Sequence, residues 1–106
     1  MITISDFAKI ELVIGQILSA EKINNYDKLL KLKVDIGDQT IQIVSGIAEH
    51  YKMEELIGKQ IVVVKNLEHK TIAGVESQGM LLAVESDGKI ILITPESQIK
   101  TGIKVK

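Results

Sequence analysis

Leu30, Leu32, Val34 and Ile36 alternate with Lys31, Lys33 and Asp35, a period of two that puts the apolar side chains on one face of a strand and the charges on the other. Gly37-Asp38-Gln39 supplies a tight turn, and the next residues resume the alternation, with Ile41, Ile43 and Ser45 opposed to Thr40, Gln42 and Val44. The two runs form a hairpin with one apolar and one basic face. A lone hairpin is at best marginally stable in water, so its apolar face must be covered by more sheet.

The rest of the chain supplies that sheet. Residues 10–23 are rich in β-branched side chains and long enough for a strand that bends, with Gly15 the expected bend. Asn24-Asn25-Tyr26-Asp27 reads as a turn. Ile61-Val62-Val63-Val64 is too continuously apolar to be half exposed and predicts a central strand of a closed sheet. Residues 80–85 and 89–94 flank Ser86-Asp87-Gly88 as a second hairpin, Pro95 ends it, and Ile103-Lys104-Val105 offers one more extended piece. Helical signals are short: Thr3 and Asp6 make a capping box for a turn through about Ala8, and Ile47 and Tyr51 stand at helical spacing before Gly58. Phe7 is expected in the core and Tyr51 against the short helix.

A chain of 106 residues is one domain, residues 1–106, with room for one modest core. No apolar run approaches the roughly 20 residues of a membrane span, and residues 1–6 lack a basic stretch followed by an apolar one, so the expectation is a soluble cytoplasmic protein with no membrane partner. The absence of cysteine excludes disulfides, a thiol nucleophile and cysteine-ligated zinc. Catalysis fails for want of parts. His50 and His69 have no acid–base or metal-ligand partner at helical spacing, Ser45 and Ser77 lack a nucleophile elbow, and no phosphate-cradling loop precedes a lysine. The expectation is a non-catalytic chain with no metal and no cofactor. Acidic residues number 14 against 13 basic ones, every one of the latter a lysine, so long-range attraction to a polyanion is weak and must come from a local patch.

Ordered along the chain stand Phe7-Ala8-Lys9-Ile10-Glu11-Leu12, Asp27-Lys28-Leu29-Leu30, Gln42-Ile43-Val44-Ser45-Gly46-Ile47, Tyr51, Glu54-Glu55-Leu56-Ile57-Gly58-Lys59, Asn66-Leu67, Lys70 and Glu76-Ser77-Gln78-Gly79-Met80. This set resembles the tRNA-binding domain appended to methionyl-tRNA synthetases, which also occurs as a free-standing tRNA-binding protein. The resemblance covers nearly the whole chain from about Ile4. Together with the order of strands and short helix, it implies an all-β OB-fold, a five-stranded Greek-key barrel with short helices and a C-terminal extension used for homodimerisation. It further implies tRNA as partner, an association with the methionyl-tRNA synthetase catalytic subunit, and a role as cofactor in aminoacylation.

Barrels of this class present the face around strands two and three to nucleic acid, which turns Lys28, Lys31 and Lys33 from a solvated strand face into phosphate contacts. Asp27 is assigned to turn formation. Gln42 suits a ribose hydroxyl or base edge, and Ser45 either contacts RNA or satisfies the backbone. Asn66, Lys70, Ser77, Gln78 and Met80 complete the set, with turn formation, loop support and core filling as their structural alternatives. The family usually has arginine where this chain has Val13 and Ile41. At position 41 the family's arginine argues for exposure, whereas alternation with Ile43 argues for burial. Where the family has a proline-alanine pair this chain has Asn25-Tyr26, and Tyr26 offers a ring on which a base could stack. Two rival readings are a secretion-associated, chaperone-like dimer of the same barrel family, and an assembly module for a synthetase that never touches RNA.

Overall fold

The computed structural model describes residues 1–106. Helix α1 (Ile4–Phe7) precedes strands β1 (Leu12–Ile23), β2 (Tyr26–Asp35) and β3 (Thr40–Ser45), then come helix α2 (Met53–Leu56) and strand β4 (Gln60–Val64). A short hairpin, β5 (Lys70–Ile72) and β6 (Val75–Ser77), leads to β7 (Met80–Leu81); a second, β8 (Ala83–Ser86) and β9 (Lys89–Leu92), leads to β10 (Lys104–Val105). The fold is all-β with two short helices and a C-terminal extension. Its main sheet runs β3-β2-β1-β4-β7, with every pair antiparallel and β10 added to β1. The sheet curls until the segment after β6 meets β3: the Gln78 amide donates to the Gln42 carbonyl at 2.7 Å. A β1-β2-β3 meander followed by a helix and a return to β1 is the order of an oligonucleotide-binding barrel.

The alternation of the hairpin translates directly into burial. Leu30, Leu32, Val34, Ile41 and Ile43 line the barrel with Val13, Ile17, Ile61 and Val63, and α2 closes one end with Leu56. Their removal from water is the main stabilising term, at about 25 cal/mol per Å² of apolar area. β4 is buried along its whole length, as its continuous apolar run requires.

Several expectations need correction. Gly15 stays in register with Ile61 next to Gln16, where β1 passes from pairing with β4 to pairing with β2, and the irregularities of β1 fall between Ile17 and Ser19 and between Lys22 and Ile23. A Cβ at Gly15 would stand 2.7 Å from Val34 Cγ1 and 2.9 Å from Val63 Cγ2, so close packing across the barrel is what demands glycine. Tyr26 and Asp27 belong to β2, leaving Asn24 and Asn25 as the turn, with Asn25 at φ 72°. Phe7 is 36% exposed and lies outside the core, because α1 buries none of its residues. Ile41 and Val13 are only 7% and 8% exposed and belong to the core, so position 41 does not have the exposure that the resemblance implied.

The C-terminal extension returns to its own barrel. The buried Gln60 side chain pairs with the backbone of Ile99 in both directions, at 2.6 and 3.0 Å, and Ile14 exchanges bonds with Gly102 and Ile103. The β8–β9 hairpin turns on Asp87 and Gly88, both at positive φ as a two-residue turn of this kind requires. Its β9 edge is capped by side chains, Tyr51 Oη accepting from the Leu92 amide and His50 Nδ1 from Ile90. Tyr51 is thus partly buried against the core and tied to β9, and His50 is half-buried beside it.

Candidate nucleic-acid interface

The outer face of β2 is built in rows. Lys33 stands between Ser19 of β1 and Gln42 of β3, and Lys31 between Glu21 and Val44. Both lysines are half-buried along their stems with their ammonium groups held by neighbours. Lys31 pairs with Glu21 at 3.5 Å, a contact worth at most about 1 kcal/mol at an exposed site. Lys33 Nζ donates to Gln42 Oε1 at 2.7 Å. That acceptor is neutral, so the full positive charge of Lys33 still faces an approaching anion.

Gln42 sits where β3 meets the segment that closes the barrel. Its Nε2 donates to the Glu76 carbonyl at 2.8 Å, and its backbone amide donates to Gln78 Oε1 at 2.8 Å. Gln78 Nε2 in turn donates to the Glu76 carboxylate at 3.2 Å. Ser77 is 5% exposed; its Oγ accepts from the Val44 amide at 3.0 Å and donates to the Gly79 carbonyl at 3.2 Å. These polar side chains complete the ladder that β6 is too short to make by itself. Glycine at 79 allows a close approach, since a Cβ there would lie 3.0 Å from the Val64 carbonyl and 3.1 Å from Ile41 Cδ1. A buried aliphatic Ile41 beneath Gly79 is thus part of how the Ser-Gln-Gly-Met stretch is seated.

The other candidates lie around this centre or away from it. Met80 is 45% exposed at the start of β7, a polarizable apolar surface beside the closure. Lys70 is exposed and in register with Ser77 across the β5–β6 hairpin. Ser45, half-buried, ends β3 opposite Leu30. Lys28 is exposed beyond that end, its carbonyl tied to the Ala48 amide. Asn66 stands apart: its Oδ1 accepts from the Glu11 amide at 2.9 Å and its Nδ2 donates to the Lys9 carbonyl at 2.7 Å, fastening the segment before β1 to the end of β4.

The arrangement is a basic strip on β2 bracketed by two projections, the tip of the β1–β2 ribbon with Tyr26 and Lys28 at the start of β2 and the β5–β6 hairpin carrying Lys70. These correspond to the two loops that flank the binding face of oligonucleotide-binding barrels. Local sequence does not announce the β5–β6 hairpin: its turn residues are Ala73 and Gly74, both at positive φ, and alanine is a poor turn signal. Nor does it reveal Gln60 as the anchor of the C-terminal segment, since a glutamine at the head of an apolar run reads as a strand terminus. No three His, Asp or Glu side chains come together as metal ligands, and no helix is long and apolar enough to cross a membrane.

Comparison with known proteins gives this geometry a family. The model of the tRNA binding domain, tRNA_bind, matches residues 12–104. The methionine–tRNA ligase of Archaeoglobus fulgidus is 53% identical over 104 residues, which is 98% of this chain but 16% of that ligase. The chain thus spans about a sixth of the length of the curated relatives it matches. Among solved structures, the MetRS-related protein of Pyrococcus horikoshii superposes with a TM-score of 0.92 at 40% identity, covering 100% of this chain and 98% of that one. The chaperone CsaA of Bacillus anthracis superposes at 0.90 with 31% identity, covering 100% and 99%. The matched strands are those that carry the basic strip and its closure, and the chain belongs to the tRNA-binding domain family related to methionyl-tRNA synthetase.

Proposed function

We propose that this chain is a non-catalytic cytoplasmic tRNA-binding module that serves as a tRNA-binding cofactor of methionyl-tRNA synthetase and works as a homodimer. The observation that carries the reading is the Lys31–Lys33 strip between the two projecting turns, on a barrel whose family binds tRNA. Lysines without arginine follow phosphates as point charges and read little sequence, so recognition rests on the shape and backbone of the RNA. Lys28, Lys31, Lys33 and Lys70 supply the phosphate contacts, and Met80 an apolar surface beside them. Gln42, Ser77 and Gln78 act by holding the closure rigid, which fixes where Lys33 presents its charge. Ser45 borders the site, whereas Asn66 acts at a distance from it by fastening the segment before β1 to the end of β4.

The likeness to the CsaA chaperone favours one second reading, in which the same barrel holds extended peptides. Purified protein titrated at low salt with folded tRNA and with an unfolded client peptide separates the two. Tight, salt-sensitive tRNA binding with no response to peptide is the expected result; the reverse pattern overturns it. Sedimentation of the same sample reports the dimer, and co-purification with the synthetase catalytic subunit reports the partner.

A further inference from the structure

At its tip the β1–β2 ribbon departs from regular pairing. Lys22 is in register with Leu30 and the next residue, Ile23, with Tyr26, so Asp27, Lys28 and Leu29 bulge from β2 with no partner on β1. β3 ends opposite Leu30, which leaves these residues clear of the sheet on that side too. Bulges of this kind re-aim side chains and recur beside functional sites. Here the bulge opens a concavity of about 460 Å³ lined by Tyr26, Asp27, Lys28 and Leu29.

The walls have distinct chemistry. Tyr26 is 48% exposed and follows directly on the two-residue turn in which Asn25 takes φ 72°. The ion pairs of the chain join Lys9 to Asp6, Lys31 to Glu21 and Lys65 to Asp38, and its cation–π contact joins Lys59 to Tyr51. Lys28 and Asp27 stand outside all of these. An aromatic face, an ammonium and a carboxylate around one concavity match the parts of a single nucleotide.

The geometry points to this concavity as a site for one unpaired nucleotide of the bound RNA, its base stacked on Tyr26 and its phosphate on Lys28. This rests on the tRNA-binding reading and adds to it a preference for single-stranded segments. Bases inside a duplex offer no free face, whereas splayed bases of loops and ends stack on aromatic side chains. Asp27 repels a phosphate and accepts from an exocyclic amino group, so cytosine is favoured over uracil.

The chain has no tryptophan, so Tyr26→Trp places a single reporter at the site without removing the stacking surface. Titration with short single-stranded oligocytidylate should quench its fluorescence, oligouridylate should do so more weakly, and a blunt RNA duplex of the same length should not. Tyr26→Ala should weaken oligocytidylate binding by about fivefold to a hundredfold, and Tyr26→Phe should retain it. Asp27→Asn should erase the difference between cytosine and uracil. Equal quenching by duplex and single strand, or Tyr26→Ala binding as tightly as Tyr26→Phe, overturns the inference. Wild-type protein is titrated with folded tRNA in parallel. Loss of that binding with oligonucleotide quenching intact defeats the tRNA reading and leaves this site standing.

Discussion

Gln42 and Gln78 are joined twice: the Gln78 amide donates to the Gln42 carbonyl at 2.7 Å, and the Gln42 amide donates to Gln78 Oε1 at 2.8 Å. One of the two bonds is made by a side chain standing in for a missing strand residue. The closure of the barrel beside the basic strip therefore depends on the identity of residue 78 and not on backbone alone. The same holds one step further along, where Ser77 Oγ serves the Val44 amide.

Gln78→Ala is expected to leave the part-buried Gln42 amide without an acceptor, at a cost of about 1–3 kcal/mol. For a domain near this size that lowers the melting temperature by about 4–8 °C per kcal/mol. Hydrogen exchange should accelerate at Gln42 before it does at the β1–β4 ladder. Uniform acceleration over all strands would show that the closure does not open separately.

Replacing Lys31 and Lys33 together by alanine should weaken tRNA binding and flatten its salt dependence by about 0.9 for each phosphate no longer neutralised, close to two units of slope for the pair. The single variants should differ. Lys33→Ala also removes the ammonium that holds the Gln42 side chain, whereas Lys31→Ala releases only an exposed pairing with Glu21. An unchanged slope in the double variant removes the β2 face from the site.

Ile41→Arg is expected to destabilise the fold and not to restore a phosphate contact. The side chain is 7% exposed and its Cδ1 lies beneath Gly79, so a guanidinium there would be buried without a partner. A fall of several kcal/mol, read as a drop of more than about 10 °C in the thermal melt, is the expected outcome. An unchanged melt with tighter tRNA binding would show that arginine can escape to solvent from this position.

Deleting residues 97–106 should cost stability as well as any dimer interface that the extension forms. The buried Gln60 side chain would lose both of its bonds to Ile99, and Ile14 its bonds to Gly102 and Ile103. Full-length Gln60→Ala separates the two effects, since it weakens the docking of the segment while keeping the segment present. Sedimentation should then report a monomer for the truncation and a dimer for Gln60→Ala. A truncated chain that still sediments as a dimer places the interface elsewhere.

The strands themselves are legible in the sequence because their information is local. The alternation through Leu30, Leu32, Val34 and Ile36 and the continuous run through Ile61 and Val63 each specify burial on one or both faces, and the observed burial follows them. The capping box of α1 is equally readable, since Thr3 and Asp6 satisfy each other's backbone within one turn. The basic strip falls on one face for the same reason, as Lys31 and Lys33 are two residues apart.

Side-chain period and turn chemistry, which operate over a few residues, therefore specify the long strands and the faces of each, but not the β5–β6 hairpin. Which polar groups are spent on the fold and which remain for a ligand is settled only when the chain closes on itself. Ser77, Gln78, Gln42 and Asn66 each carry donors and acceptors that suit RNA equally well. Their partners are the amides and carbonyls of Val44, Gln42, Glu76, Lys9 and Glu11, most of them far away in the chain. Gly15 and Ile41 make the same point for shape: whether a glycine bends or a leucine-sized side chain is buried depends on what stands opposite, here Val34, Val63 and Gly79. A hydrogen bond or a steric contact is a property of two places in space, and the sequence specifies the second place only once the barrel has closed.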